Sequence, residues 1–298
     1  MLPWLEPSYQ QLSSLHQRLQ LPHALLLSGR RGLGKQQLAE AVVRLLLCQA
    51  GPAEAPCGRC KSCQLQQAGH HPDFWQDTDA SERIGVDSIR QLSRFFHEHA
   101  QQGGARVAVL ERVERMSEAA ANALLKTLEE PPAGGYLILT SDQPALLLPT
   151  IVSRCQQWSL TVADTKVVEL WWQQQGGQTL DKFFEPLLHS APLEAWQWQQ
   201  SGQLEQVRQS LLQLEQYLQG QASMQQTVQL LAKTEQLPLV LSWFVRERLA
   251  QKSNAQPQGY WQFLQRFQQW CRDEQQLLGQ NKQLALTALL IELKRLNA

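Results

Sequence analysis

The stretch Gly29-Arg30-Arg31-Gly32-Leu33-Gly34-Lys35-Gln36 lies between a short apolar run, Ala24-Leu25-Leu26-Leu27, and a helical pattern. Its spacing is G-x-x-x-x-G-K, and strand–loop–helix is the setting in which that spacing cradles phosphate. The glycines let main-chain N–H groups face an anion, the helix N-terminus favours negative charge, and Lys35 reaches the outer phosphates. Such a loop needs a parallel sheet behind it. Two more continuously apolar runs supply one, Val107-Ala108-Val109-Leu110 and Tyr136-Leu137-Ile138-Leu139. Runs apolar throughout are expected of strands buried on both faces. Between them, Ser117 reads as an N-cap, residues 118–130 as an Ala- and Leu-rich helix, and Pro131-Pro132 as its stop. Strands alternating with helices make the first half an α/β domain.

The loop lacks parts that hydrolysis needs. The position after Lys35 should be Ser or Thr, whose hydroxyl holds Mg²⁺. Gln36 stands there, a longer amide that cannot reproduce that ligand. Beyond the second apolar run the chain reads Glu111-Arg112. Glu111 can serve a metal, but Arg112 cannot be a base, because a guanidinium stays protonated. These losses predict a loop without hydrolysis. Nucleotide binding stays open, since Lys35 is kept, and the plain alternative is a glycine turn into a helix. Ser153-Arg154-Cys155 follows the third run. An arginine at the edge of such a domain can stabilise phosphoryl transfer in a neighbouring subunit. The plain alternative is a solvated surface arginine.

Cys48, Cys57, Cys60 and Cys63 give C-x8-C-x2-C-x2-C. Paired C-x2-C turns place sulfurs on one tetrahedral ion, and four protein ligands leave no open position, so a structural zinc is expected. The bacterial iron–sulfur run has a different spacing and a following proline, both missing here. His70 and His71 lie near enough in sequence to compete as ligands. Cys155 and Cys271 are isolated and read as incidental thiols.

From about residue 160 the strand signal fades and Gln, Leu and Trp dominate at helical spacing. Leu286, Leu289, Leu290 and Leu293 form one apolar stripe. The second half is predicted all-helical, with loops at Gly176-Gly177 and over 253–259 and a break near 200–207. Lys and Arg total 27 and Asp and Glu total 27, so this chain is not expected to be a principal grip on a phosphate backbone. That balance counts against a stand-alone DNA-binding protein built on the cysteine module. No apolar run approaches the roughly 18 residues that span a bilayer. Residues 1–20 lack a signal-peptide pattern. A soluble, cytoplasmic protein with no membrane partner is expected. No set of carboxylates is spaced for two-metal nucleotidyl transfer.

Together these elements resemble the AAA+ clamp-loader family of bacterial DNA polymerase III. His23-Ala24-Leu25-Leu26-Leu27 precedes the loop, and Gly69-His70-His71-Pro72-Asp73 follows the cysteines. Gly85-Val86-Asp87, Glu98-His99-Ala100 and Gly103-Gly104-Ala105 come next. The most specific stretch is Ala119-Ala120-Ala121-Asn122-Ala123-Leu124-Leu125-Lys126-Thr127-Leu128-Glu129-Glu130-Pro131-Pro132, before Ser153-Arg154-Cys155. The resemblance is dense over 1–160, with a fainter echo at 279–282. It implies an α/β AAA+ domain with a parallel sheet and a zinc-binding insert (1–160, insert about 48–63). A small helical lid (161–205) and an all-α collar (206–298) complete the implied fold.

The resemblance implies ATPase subunits of the gamma or tau type and a delta subunit as partners. A sliding clamp and primer–template DNA would be reached through the complex, to which any polymerase activity would belong. It implies that Arg154 acts in trans on a neighbour's ATP. Gly29, Gly32, Gly34, Lys35, Gln36, Glu111 and Thr140 occupy a degenerate nucleotide site, with Leu193 where active members carry a sensing arginine. An active gamma-like ATPase motor is the alternative, favoured by Lys35 and opposed by Gln36 and Arg112.

Overall fold

The computed structural model describes residues 1–77, 83–180, 183–234, 236–252, 257–276 and 281–297. The first 160 residues run α1 (Glu6–Gln17), β1 (Ala24–Ser28), α2 (Lys35–Leu47), α3 (Lys61–Gln67), β2 (Phe74–Gln76), α4 (Val86–His97), β3 (Arg106–Leu110), α5 (Glu118–Glu129), β4 (Gly135–Ser141), α6 (Pro149–Val152) and β5 (Gln156–Ser159). The strands form one sheet in the order β2-β3-β4-β1-β5, with every pair parallel. All five residues of β1 are buried, as are all five of β3. That explains the unbroken apolar runs 24–27 and 107–110, which Ser28 and Arg106 flank as buried polar residues. The sequence reading finds the three inner strands and misses β2 and β5. Both are edge strands; β2 has three half-buried residues, and β5 reads Gln-Gln-Trp-Ser with two exposed glutamines. Neither carries an apolar run.

The expected cap and stop of α5 are both present. Ser117 accepts a hydrogen bond from the Ala120 N–H, and the helix ends at Glu129, just ahead of Pro131-Pro132. The α5 face carrying Ala120, Ala121, Leu124 and Leu128 packs into a core with Ile89, Leu92, Leu110, Leu139, Ile151 and Cys155.

Beyond β5 the described chain is helical: α7 (Thr165–Gln174), α8 (Glu185–Ser190), α9 (Pro192–Ser201), α10 (Gln203–Leu218), α11 (Met224–Leu231), α12 (Leu237–Lys252), α13 (Pro257–Gln276) and α14 (Lys282–Asn297). The chain falls into two compact units. One comprises Met1–Gly177 and Pro186–Ala195, the other Gln178–Glu185 and Trp196–Ala298. In the first, Gly176 at φ +80° lies beyond the end of α7, where the Gly176-Gly177 loop was expected. In the second, Gly202 at φ +75° parts α9 from α10. Phe183, Trp198 and Trp243 cluster there with ring centroids about 6 Å apart. The stripe Leu286, Leu289, Leu290, Leu293 is buried.

Of the loop expected over 253–259, residues 253–256 lie outside the described residues, as do 279–280 of the fainter echo. Pro257 to Gly259 already belong to α13. A proline at the first helical position lacks only an N–H that would have no helical partner there, so it starts the helix instead of marking a loop.

Candidate functional site

The loop leaves the carboxyl end of β1, the end at which open parallel sheets place ligands. Register pairs Leu27 with Thr140 and Ser28 with Ser141 across β4, and Leu110 with Leu139 between β3 and β4. This brings the ends of β1, β3 and β4 together, and with them Lys35, Glu111, Arg112, Thr140 and Asp142. Gly34 caps α2 in the left-handed region at φ +89°, and Gly32 sits at φ +84°, where a side chain is strained.

The loop is turned inward on the protein's own groups. Lys35 is buried, and its ammonium donates to the carbonyls of Gly29 at 2.7 Å and Arg30 at 2.9 Å. Its third partner is the Asp142 carboxylate at 2.5 Å. The ammonium is thus held by two carbonyls and one carboxylate. On one side of the loop, Trp4 donates its indole N–H to the Leu33 carbonyl at 2.8 Å. A Cβ on Gly34 would meet Leu2 Cδ1 at 2.6 Å. On the other side, the Leu193 N–H donates to the Gly32 carbonyl, and Arg30 donates to Ser190 Oγ at 2.8 Å. A Cβ on Gly32 would lie 2.7 Å from Glu194 Cβ. Sequence reading could not reveal this cover, because its pieces come from residues 2–5, 142 and 190–194.

The acidic side is equally engaged. Burial raises the Glu111 carboxyl above its ordinary range, and Glu111 accepts from Gln76 at 2.8 Å. Arg112 adopts φ +51°, and its main-chain N–H donates to Thr140 Oγ1 at 3.1 Å. The position that would sense phosphate therefore accepts a bond from this backbone. Gln36 is exposed.

Arg154 stands apart on α6's exit. It keeps 36% of its side chain exposed, pairs with Glu129 at 2.7 Å and donates to the Thr150 carbonyl at 3.0 Å. Cys155, the next residue, is buried, and burial pushes its thiol up to about 11. Burial does the same to Cys271. Neither is poised as a thiolate nucleophile.

Cys48, Cys57, Cys60 and Cys63 converge, with all four Sγ atoms within 4.8 Å of one another. Three main-chain N–H groups donate to the sulfurs: Cys57 to Cys48, Cys60 to Cys57 and Cys63 to Cys60, each at 3.4 Å. Backbone donors lower the Cys57 thiol and burial raises that of Cys63; metal binds the thiolate form. This set fits a metal ion.

His71 is not a fifth candidate here. The Asp73 N–H donates to its Nδ1 at 3.1 Å, so that nitrogen is unprotonated and the proton sits on Nε2. Nε2 then donates to Ser62 Oγ, whose hydroxyl donates to the Leu47 carbonyl. The Asp73 carboxylate, fully buried, accepts from the N–H groups of Gln101 and Gln102 at 2.7 and 2.8 Å. The His71-Pro72-Asp73 motif thus ties α3 to the end of α2 and to the turn before β3. Burial lowers the His71 pKa, which Asp73 partly offsets. Stability drawn from this neutral imidazole is full above the ordinary histidine value and lost as pH falls below it, because the unfolded chain then binds the extra proton. His71→Ala should cost about 1–3 kcal/mol by leaving the buried Asp73 N–H without an acceptor and Ser62 Oγ without its donor, while Ser62 keeps the Leu47 carbonyl. Chemical denaturation of wild type and variant at pH 8 measures it, and an unchanged midpoint would contradict the relay.

The family model described as "DNA polymerase III, delta subunit" matches residues 4–164. The DNA polymerase III subunit delta' of Yersinia pestis is 46% identical over 175 residues, covering 58% of this chain and 52% of that protein. That of Haemophilus influenzae is 38% identical over 207 residues, covering 68% and 63%. The match therefore spans between half and two thirds of these relatives' own length. Among solved structures, a gamma subunit-related protein of DNA polymerase III from Thermotoga maritima aligns with a TM-score of 0.56 and 19% identity, covering 97% of this chain and all of that one. At that identity the likeness speaks for the fold.

Proposed function

The chain belongs to the DNA polymerase III delta subunit family, and on that premise we propose that it serves as a non-hydrolysing, delta-prime-type subunit of a clamp loader. One observation carries the reading: the Lys35 ammonium is consumed by two loop carbonyls and Asp142, inside a loop covered from both sides. A nucleotide phosphate would have to displace all three contacts, with no Ser or Thr after Lys35 to hold Mg²⁺ and no base at Arg112. The loop is used as scaffold. Gly29, Gly32, Gly34, Lys35, Gln36, Glu111 and Thr140 are what remains of a nucleotide site. The residue offered outward is Arg154, acting in trans on ATP held by an adjacent gamma- or tau-type subunit.

In this reading residues 1–160 form the AAA+ base, 161–205 a lid and 206–298 a collar. A structural zinc sits on Cys48, Cys57, Cys60 and Cys63, where it supplies cross-linking and no chemistry. The delta subunit, the sliding clamp and primer–template DNA are reached through the assembled complex, in the cytoplasm. Among the described residues no helix is long and apolar enough to cross a membrane.

The purified chain should turn over no ATP with Mg²⁺ when alone, yet enter a stable complex with cognate clamp-loader ATPase and delta subunits on size-exclusion chromatography. Clear Mg²⁺-dependent hydrolysis by the isolated chain would replace this reading with the ATPase motor.

A further inference from the structure

We infer that Glu129 is the positioning residue of Arg154, holding its guanidinium at the angle from which it meets a neighbour's phosphate. The inference rests on the trans-arginine reading above. Glu129 Oε1 forms an ion pair with Nη2 at 2.7 Å, and the Thr150 carbonyl accepts a hydrogen bond from Nη1 at 3.0 Å. The two acceptors come from different elements, the last residue of α5 and the second of α6. A guanidinium carries five N–H donors in one rigid plane. The carboxylate and the carbonyl hold Nη2 and Nη1, so the plane is fixed and N–H groups remain for an incoming oxygen.

The anchors are flanked by buried residues. Leu128 precedes Glu129, Cys155 follows Arg154, and Ile151 follows Thr150. All three are buried in the same apolar core. The backbones carrying the pair are thus locked by packing, and the side chains are the last freedom left to remove. Fixing a reacting group in advance matters for rate, because displacement by about 1 Å can cost about 10²-fold.

The same pair contributes little to stability. Glu129 is 50% exposed and Arg154 36%. Exposed pairs of this kind are worth on the order of 0–1 kcal/mol. A purely structural role therefore predicts no effect on the neighbour's rate.

The test uses the reconstituted loader with its ATPase and delta subunits. Glu129→Ala should lower kcat for ATP about tenfold and leave KM and assembly unchanged, since a positioning loss falls on the transition state. Glu129→Gln, whose amide oxygen can sit where Oε1 faces Nη2, should recover most of the rate. Glu129→Ala combined with Arg154→Ala should be no slower than Arg154→Ala alone. If Arg154→Ala is slow while Glu129→Ala runs at the wild-type rate or faster, or if Gln rescues nothing, the inference is overturned and the trans-arginine reading survives. If Arg154→Ala itself runs at the wild-type rate, that reading falls and this one with it.

Discussion

Arg154→Ala should leave the chain folded and assembled while cutting the loader's ATP turnover by about 10³-fold or more at the site it faces. The two halves of that expectation have separate physical grounds. The fold is spared because Arg154 is solvent-accessible and its ion pair with Glu129 is a surface pair, worth on the order of 1 kcal/mol at most. The rate is not spared, because charge builds on the transferring phosphoryl group and a guanidinium is a permanent cation with a planar set of donors. Arg154→Lys keeps the charge and loses the fork, so it should recover only part of the rate. Steady-state ATP hydrolysis by the reconstituted complex, with size-exclusion chromatography as the control for assembly, measures both. A normal rate with Arg154→Ala would remove the trans role and leave Arg154 a surface arginine. On the proposed reading the chain's own loop supplies no substitute activity, Lys35 being held by Asp142 and two carbonyls.

What the sequence makes legible follows from how local each feature is. The loop, the cysteine quartet and the α5 cap each lie within a short window, so spacing alone exposes them. The inner strands are legible because burial on both faces demands unbroken apolar runs. The edge strands β2 and β5 face no such demand. The self-filled glycine loop is the clearest case of what stays hidden. Gly32 meets Glu194 and Lys35 meets Asp142 only after folding, so residue types alone leave nucleotide binding open. The Glu129–Arg154 pair is hidden for the same reason. Both residues stand in plain motifs, but their contact spans α5, β4 and α6.

Cys57→Ser with Cys60→Ser should abolish metal binding, with zinc falling from one per chain to none by elemental analysis of purified protein. Zinc thiolate sites in small peptides carry roughly 10–16 kcal/mol of apparent binding energy. Little of that should appear as loss of the whole fold here, because β1, β3 and β4 hold a core that excludes Cys48, Cys57, Cys60 and Cys63. The loss should be local. Cys60 caps α3, its sulfur accepting from the Cys63 N–H, and Ser62 between Cys60 and Cys63 bonds the Leu47 carbonyl at the end of α2. Removing the ion frees the turn that carries this cap, so α3 loses its start and its tie to α2 together. Hydrogen exchange should then show lost protection over residues 48–70 and retained protection in β1, β3 and β4. Chelation of the wild-type chain should reproduce the pattern, and added zinc should reverse it in the wild type and fail in the variant. A metal-free wild type with residues 48–70 fully protected would mean that the N–H···S bonds alone hold the quartet together, and the structural role of zinc would be refuted.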